Sequence, residues 1–179
     1  IFDAVANGNM DIIRKVGSLE ELNINQVNKD GNTILHKEIV TQNNELALLL
    51  MELGANPTIM DRNGKNFLFY AISEGIKNID IIEKALSLGC NINSRSNKNK
   101  TLLMESITYF LETPKENTEM RNDYLEMIIE LIRLGISIDA TDDNNENALF
   151  LVTFCENREL INTLFEDNHK IDLIHQNNQ

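Results

Sequence analysis

An all-α solenoid, an elongated stack of repeated helix pairs, is the fold that the sequence predicts. Three observations lead to it. Asp30-Gly31-Asn32-Thr33-Ile34-Leu35-His36 aligns with Asn63-Gly64-Lys65-Asn66-Phe67-Leu68-Phe69 at a spacing of 33 residues, and the same frame returns at Leu103 and Leu149 after intervals of 35 and 46. Leu53-Gly54, Leu88-Gly89 and Leu134-Gly135 each close an apolar stretch with the residue best suited to a left-handed helix stop. Apolar residues then recur at intervals of three and four, as on a helix with one buried face. One helix pair of this size cannot bury such a face alone, so each packs on the next.

The units follow in order. Residues 1–27 form a partial one, with Ile1 at the leucine anchor, Gly8 ending its first helix and Ile12, Ile13 and Val16 marking its second. In 28–60 the second helix is marked by Leu46, Leu49, Leu50 and Leu53, and in 61–95 by Ile81, Ile82, Ala85 and Leu86. Residues 96–141 use Leu125, Ile128, Ile129 and Ile132, and 142–175 use Leu160, Ile161 and Leu164. Asn99 and Asn145 replace Gly31 and Gly64, and Asn168 replaces Gly54; Asn is the non-glycine residue that best tolerates left-handed backbone. Ile171-Asp172-Leu173-Ile174-His175 looks like the lead into a further unit, so the chain is expected to begin and end inside repeats.

The fourth of these units is enlarged. Leu103 to Gly135 spans 32 residues against 19 from Leu35 to Gly54, and the 13 extra fall near 111–123, around Leu111-Glu112-Thr113-Pro114-Lys115-Glu116-Asn117-Thr118-Glu119. Thr-Pro breaks a helix and polar residues follow it, so a lengthened helix and a loop are expected at the end away from the hairpins. Such a loop is either a binding element or tolerated surface.

Composition bounds the function. Of 179 residues 42% are hydrophobic and 25% charged, which is enough apolar material for a folded chain. A net charge of -12 repels duplex DNA and anionic membranes at long range, which argues against nucleic acid and membrane partners. No apolar run approaches the ~18 residues that a transmembrane helix needs, and Ile1-Phe2-Asp3 does not start a signal peptide. Cys90 and Cys155 are far apart, giving neither a disulfide framework nor a zinc motif. A cytoplasmic or otherwise intracellular monomer is the expectation.

Thr33-Ile34-Leu35-His36 resembles the T-P-L-H of the ankyrin repeat, whose period is also 33. The chain departs from that pattern at the proline, replaced by Ile34, Phe67, Leu102 and Ala148, and keeps the signature alanine only as Ala71. The resemblance implies that Thr33 caps the first helix, that Leu35 enters the core and that His36 bonds backbone near the hairpin. It also implies that the helix-turn-helix units are joined by β-hairpin-like loops into an elongated and curved stack, a scaffold that binds a partner protein or peptide in a concave groove. A second reading is the targeting or substrate-recognition part of a larger multidomain enzyme, or of a secreted bacterial effector acting in host cytosol.

Catalytic constellations are lacking. His36, His169 and His175 show no metal-ligand spacing, and no phosphate loop or nucleophile elbow occurs. Asp142-Asp143-Asn144-Asn145-Glu146 resembles a calcium loop only in its oxygens, without the glycine or the distal Glu, and reads as a hairpin tip. Cys155 has no recognisable base. No catalytic residue, metal or cofactor is assigned, and this chain is read as a non-enzyme.

Transferred by resemblance, the groove positions are Lys29, Asp30, Asn32, Val40 and Thr41, then Arg62, Asn63, Lys65, Ser73 and Glu74. Asn97, Lys98, Lys100, Thr108 and Tyr109 follow, and then Asp143, Asn144, Glu146, Phe154 and Cys155. Basic tips give way to acidic ones along this series, so an acidic segment of a partner would be steered to the basic stretch. Tyr109 and Phe154 stand where an interface would place aromatic anchors.

Overall fold

In the computed structural model, residues 23–153 and Leu160 and Ile161 are described. The partial unit up to residue 22, Leu164, Asn168, the segment from Ile171, and Phe154, Cys155, His169 and His175 lie outside them. Helix α1 is Ile34–Val40 and α2 is Asn44–Glu52. Helix α3, Phe67–Ala71, runs into a 3-10 segment, Ile72–Asn78, which leads to α4, Ile79–Ser87. Helices α5, Leu102–Glu112, α6, Thr118–Arg133, and α7, Ala148–Val152, follow. Among the described residues there is no strand, and strand-like pairing is limited to an isolated bridge between Arg95 and Thr101.

The first helix of each unit starts at the same place for the same reason. Four unpaired N–H groups open any helix, and a side-chain oxygen just before it satisfies one of them. Thr33, Asn66, Thr101 and Asn147 fill this role, accepting from the backbone N–H of His36, Leu68, Met104 and Phe150 at 3.4, 3.1, 3.3 and 2.9 Å. All four capping residues are buried, so losing any oxygen would strand a donor inside the protein.

The second helices stop alike. Gly54, Gly89 and Gly135 have φ of 92°, 94° and 84°. Around Gly54 the two reversed bonds of a glycine stop form, Gly54 N–H to Met51 C=O at 3.2 Å and Ala55 N–H to Leu50 C=O at 2.8 Å. Ala55, Cys90 and Ile136, the residues just after these glycines, are all buried against the core. Cys90 is therefore a packing residue, and burial pushes its thiol pKa up to about 12.

The described residues divide into two compact units, 23–71 with 80–90, and 72–79 with the described residues from 91 onward. In the first, α1 packs on α2 and α3 through fully buried Ile34, Leu35, Ile39, Leu46, Leu50 and Leu68. In the second, α5 packs on α6, on α7 and on the 3-10 segment, with Leu102, Leu103, Ile107, Met127 and Leu131 enclosed.

The enlarged unit differs from expectation in detail. Thr113 ends α5 as the Thr-Pro pair predicts, but the loop is confined to 113–117, and residues 118–123 form the first turns of α6. Helix α5 has 11 residues against 7 in α1, and α6 has 16 against 9 in α2. Two side chains account for this. Asn117 caps α6 by accepting from Met120 N–H at 3.2 Å. Arg121 lies 4.0 Å from the Phe110 ring and donates to the carbonyls of Phe110 and Thr113, both at 2.9 Å, closing the end of α5 from one turn inside α6.

Helix α1 ends without a glycine: Gln42 adopts φ 58°, and Asn43 N–H reaches back to Glu38 C=O at 3.0 Å. A side chain in this region costs about 1 kcal/mol. Gln42→Gly is expected to stabilise the fold by up to that amount. Gly54→Ala, whose added Cβ meets nothing within 4 Å, should cost about as much through backbone strain alone. Urea midpoints of the two variants measure both changes.

Candidate partner-binding surface

The loops before the first helices share one geometry. The residue heading each loop, Asn28, Asp61, Ser96 or Asp142, donates its N–H to the carbonyl four positions on, Asn32, Lys65, Lys100 or Glu146, at 2.9, 2.9, 3.1 and 2.9 Å. Its own carbonyl accepts from Gly31, Gly64, Asn99 or Asn145 at 2.9 to 3.1 Å. Asn99 and Asn145 take up φ of 55° and 65°, as the alignment with glycine predicts. The head side chains organise the tips. Asn28 Oδ1 accepts from Asp30 and Asn32 N–H, Asp61 Oδ1 from Asn63 and Lys65, and Asp142 Oδ1 from Asn144 and Glu146, all between 2.8 and 3.1 Å. Ser96 Oγ makes the weaker version, accepting from Lys98 at 3.4 Å.

These four head residues are absent from the groove positions read from sequence. Their signal was present, because they recur at the same intervals of 33, 35 and 46, immediately ahead of the tips. They were missed because the groove rule selects residues that point outward, whereas these turn inward to hold the loop.

In the first compact unit the loops at 28–32 and 61–65 are joined directly, Arg62 N–H donating to Asp30 C=O at 3.0 Å. Lys29, Asp30, Arg62 and Asn63 are exposed there, and Asn32 and Lys65 are half-buried, with the Lys65 ammonium 5.8 Å from the Phe69 ring centre. Val27 and Met60, each preceding a loop head, are about half exposed at 48% and 52%. Thr41 and Val40 are also exposed, at the far end of α1.

In the second unit Asn97, Lys98, Asp143 and Asn144 are exposed, and Lys100 and Glu146 are half-buried. Here the same backbone link recurs, Asp143 N–H donating to Lys98 C=O at 3.3 Å, and side chains add to it: Asn99 donates to Asp143 at 2.7 Å, and Arg95 to the Thr141 carbonyl at 2.8 Å. Glu74 and Tyr109 are half-buried at the end away from the tips. Tyr109 stacks on Tyr124 at 5.6 Å, within the enlarged unit. Burial raises the Tyr124 pKa, helped by the charge of Glu74.

A polar cluster underlies the first pair of tips. Tyr70 donates to Asp61 Oδ2 at 2.6 Å and meets the His36 ring edge-on at 5.2 Å. Burial alone would raise the Asp61 pKa, but the hydrogen bonds from Tyr70, Lys65 and Asn63 outweigh it and hold the carboxyl below its ordinary value. His36 Nδ1 accepts from Thr33 N–H at 3.1 Å, completing a capping box, so the neutral ring carries its proton on Nε2. Burial lowers the His36 pKa despite the opposing charge of Asp61 and the carbonyls of Ile59 and Lys65. Both groups therefore brace the tips. Among the described residues no His, Cys, Asp and Glu are grouped to hold a metal ion, and no helix is long and apolar enough to cross a membrane.

Capped helix pairs whose loops close through the same backbone bonds, copy after copy, define a helical-repeat protein of the all-α solenoid class. The family model for ankyrin repeats, in three copies, matches residues 1–96, over half of the chain, and the protein belongs to the ankyrin-repeat family. The loop geometry continues past that match, at 96–100 and 142–146. The chain is 28% identical over 121 residues, 58% of its length, to the Ankyrin repeat domain-containing protein OPG023 of Monkeypox virus. It is 29% identical over 121 residues to Ankyrin repeat protein 14 of Vaccinia virus. It spans 18% of the first relative and 51% of the second. Ankyrin repeats generally mediate protein–protein interaction and are generally non-catalytic.

Two measurements test the cluster under the tips. His36 stays neutral in the fold below its ordinary 6.5 while the unfolded chain takes up a proton. Its contribution is thus complete above pH 6.5 and declines as pH falls from there towards the folded value. A His36→Asn variant should show a flatter stability profile in that window. Tyr70→Phe, which removes a donor to a charged acceptor, should cost about 1–2 kcal/mol in urea unfolding.

Proposed function

We propose that the protein is a binding module that takes an acidic segment of a partner protein or peptide across the hairpin tips of residues 28–32 and 61–65. The observation that favours this site is the pairing of those two loops by the Arg62 to Asp30 backbone bond, which sets Lys29, Arg62 and Lys65 on adjoining tips. In a chain of net charge -12 such a basic concentration stands against the average, and steering acts on local charge. Exposed Val27 and Met60 beside the loop heads supply apolar area that a purely electrostatic contact would lack. The loops are rigidly closed from within by Asn28 and Asp61, so little ordering entropy is lost when a partner binds.

The tips at 96–100 and 142–146 extend the series with mixed charge, Lys98 and Lys100 beside Asp143 and Glu146. Asn99 and Asp143 already satisfy each other there. Those tips discriminate among partners more than they attract them.

Peptides selected from a random display library on the purified chain should be enriched in Asp and Glu next to an apolar residue. Changing Lys29, Arg62 and Lys65 together to Glu should then weaken a selected peptide by tenfold or more, about 1.4 kcal/mol, with a smaller dependence on salt left behind. Unchanged affinity in the triple variant would move the site elsewhere.

A further inference from the structure

The 3-10 segment Ile72–Asn78 is bent at Gly75, whose φ of 65° and ψ of -150° lie in a region open essentially to glycine alone. Gly75 stands 33 residues after Gln42, at the position where the first helix of the preceding repeat stops. At Gln42 the turn lies open, but Gly75 is buried, and a Cβ placed on it would come within 2.8 Å of the Asp123 backbone. The start of α6 therefore sits directly on the bend. Two polar contacts flank this approach. Tyr124, 5% exposed, donates to the Ser73 carbonyl at 2.6 Å. Lys77 Nζ lies 2.8 Å from Asp123 and 3.7 Å from Glu119, both on the first turns of α6.

Every one of these contacts from α6 comes from residues 118–124, the stretch that lengthens α6 beyond α2 and α4. We propose that the inserted start of α6 is an intramolecular clamp on the 72–78 bend, so that the two segments open and close as one. The arrangement explains three facts together: the helical form of a polar insert, the glycine at a bend that elsewhere tolerates glutamine, and the engagement of Tyr124 with a backbone carbonyl rather than with solvent. Ser73 and Gly75 offer backbone, Lys77 offers charge, and the insert meets each with a complementary group. The enlarged unit is then occupied by its own chain at this end, independently of what binds the hairpin tips.

Hydrogen exchange of the intact chain, read by mass spectrometry over 72–78 and 118–124, tests the coupling. Tyr124→Phe removes one hydroxyl and should accelerate exchange in both segments by the same factor, roughly three- to tenfold, leaving α1 and α2 unchanged. Lys77→Gln should act in the same direction on both, and Lys77→Arg should restore the native rates. Gly75→Ala should open both the furthest, and the hydroxyl variant keeps the test valid if that substitution prevents folding. Acceleration confined to one segment, or native rates in both with Tyr124→Phe, overturns the clamp.

Discussion

At the head of each described loop one residue closes the turn through its own backbone, in three of the four with a side-chain oxygen that accepts from two further N–H groups, and the rest of each repeat takes its position from that closure. From head to helix cap the interval is five residues in every copy, Asn28 to Thr33, Asp61 to Asn66, Ser96 to Thr101 and Asp142 to Asn147. The cap fixes where the first helix begins, and the helix phase decides which side chains face the neighbouring repeat. A left-handed residue three positions after the head is the steric condition for this, met by glycine twice and asparagine twice. Closure is thus conserved in chemistry even where residue identity drifts. Ser96 shows the limit of that drift, with one long bond where the other heads make two short ones.

Growth follows from the same constraint. The loop end sets the register, whereas the opposite end carries no such closure, and the extra residues of the enlarged unit lie there, in the end of α5, the short loop 113–117 and the start of α6. Even there the added chain is not left loose. Arg121 satisfies carbonyls at the end of α5, and Asn117 starts α6, so the insert brings its own start and stop signals.

Much of this was legible in the sequence. Spacing and glycine position revealed the repeat, its helices and the left-handed roles of Asn99 and Asn145, because those features depend on backbone geometry that few residues satisfy. Two things were not legible. The inward turn of Asp61 and its fellow heads looks, as a string of letters, like any polar loop residue. The stacking of Tyr109 on Tyr124 was hidden as well, because Tyr124 lies 15 positions on, across an insertion whose fold no repeat template supplied. Tertiary packing decided the second; the first is set by local hydrogen bonds within the loop, which the recurrence of the heads signals but their identity does not.

Cys90 follows a helix-closing glycine, is buried, and donates its N–H to the Ala85 carbonyl of α4 at 3.1 Å, with its thiol pushed up to about 12. At neutral pH such a group is almost wholly protonated and enclosed, and therefore inert towards disulfides and alkylating reagents. It reacts only in the moments when the end of α4 lifts. The rate at which a thiol reagent consumes it is then a clock for the breathing of one repeat, built into the natural sequence and needing no label.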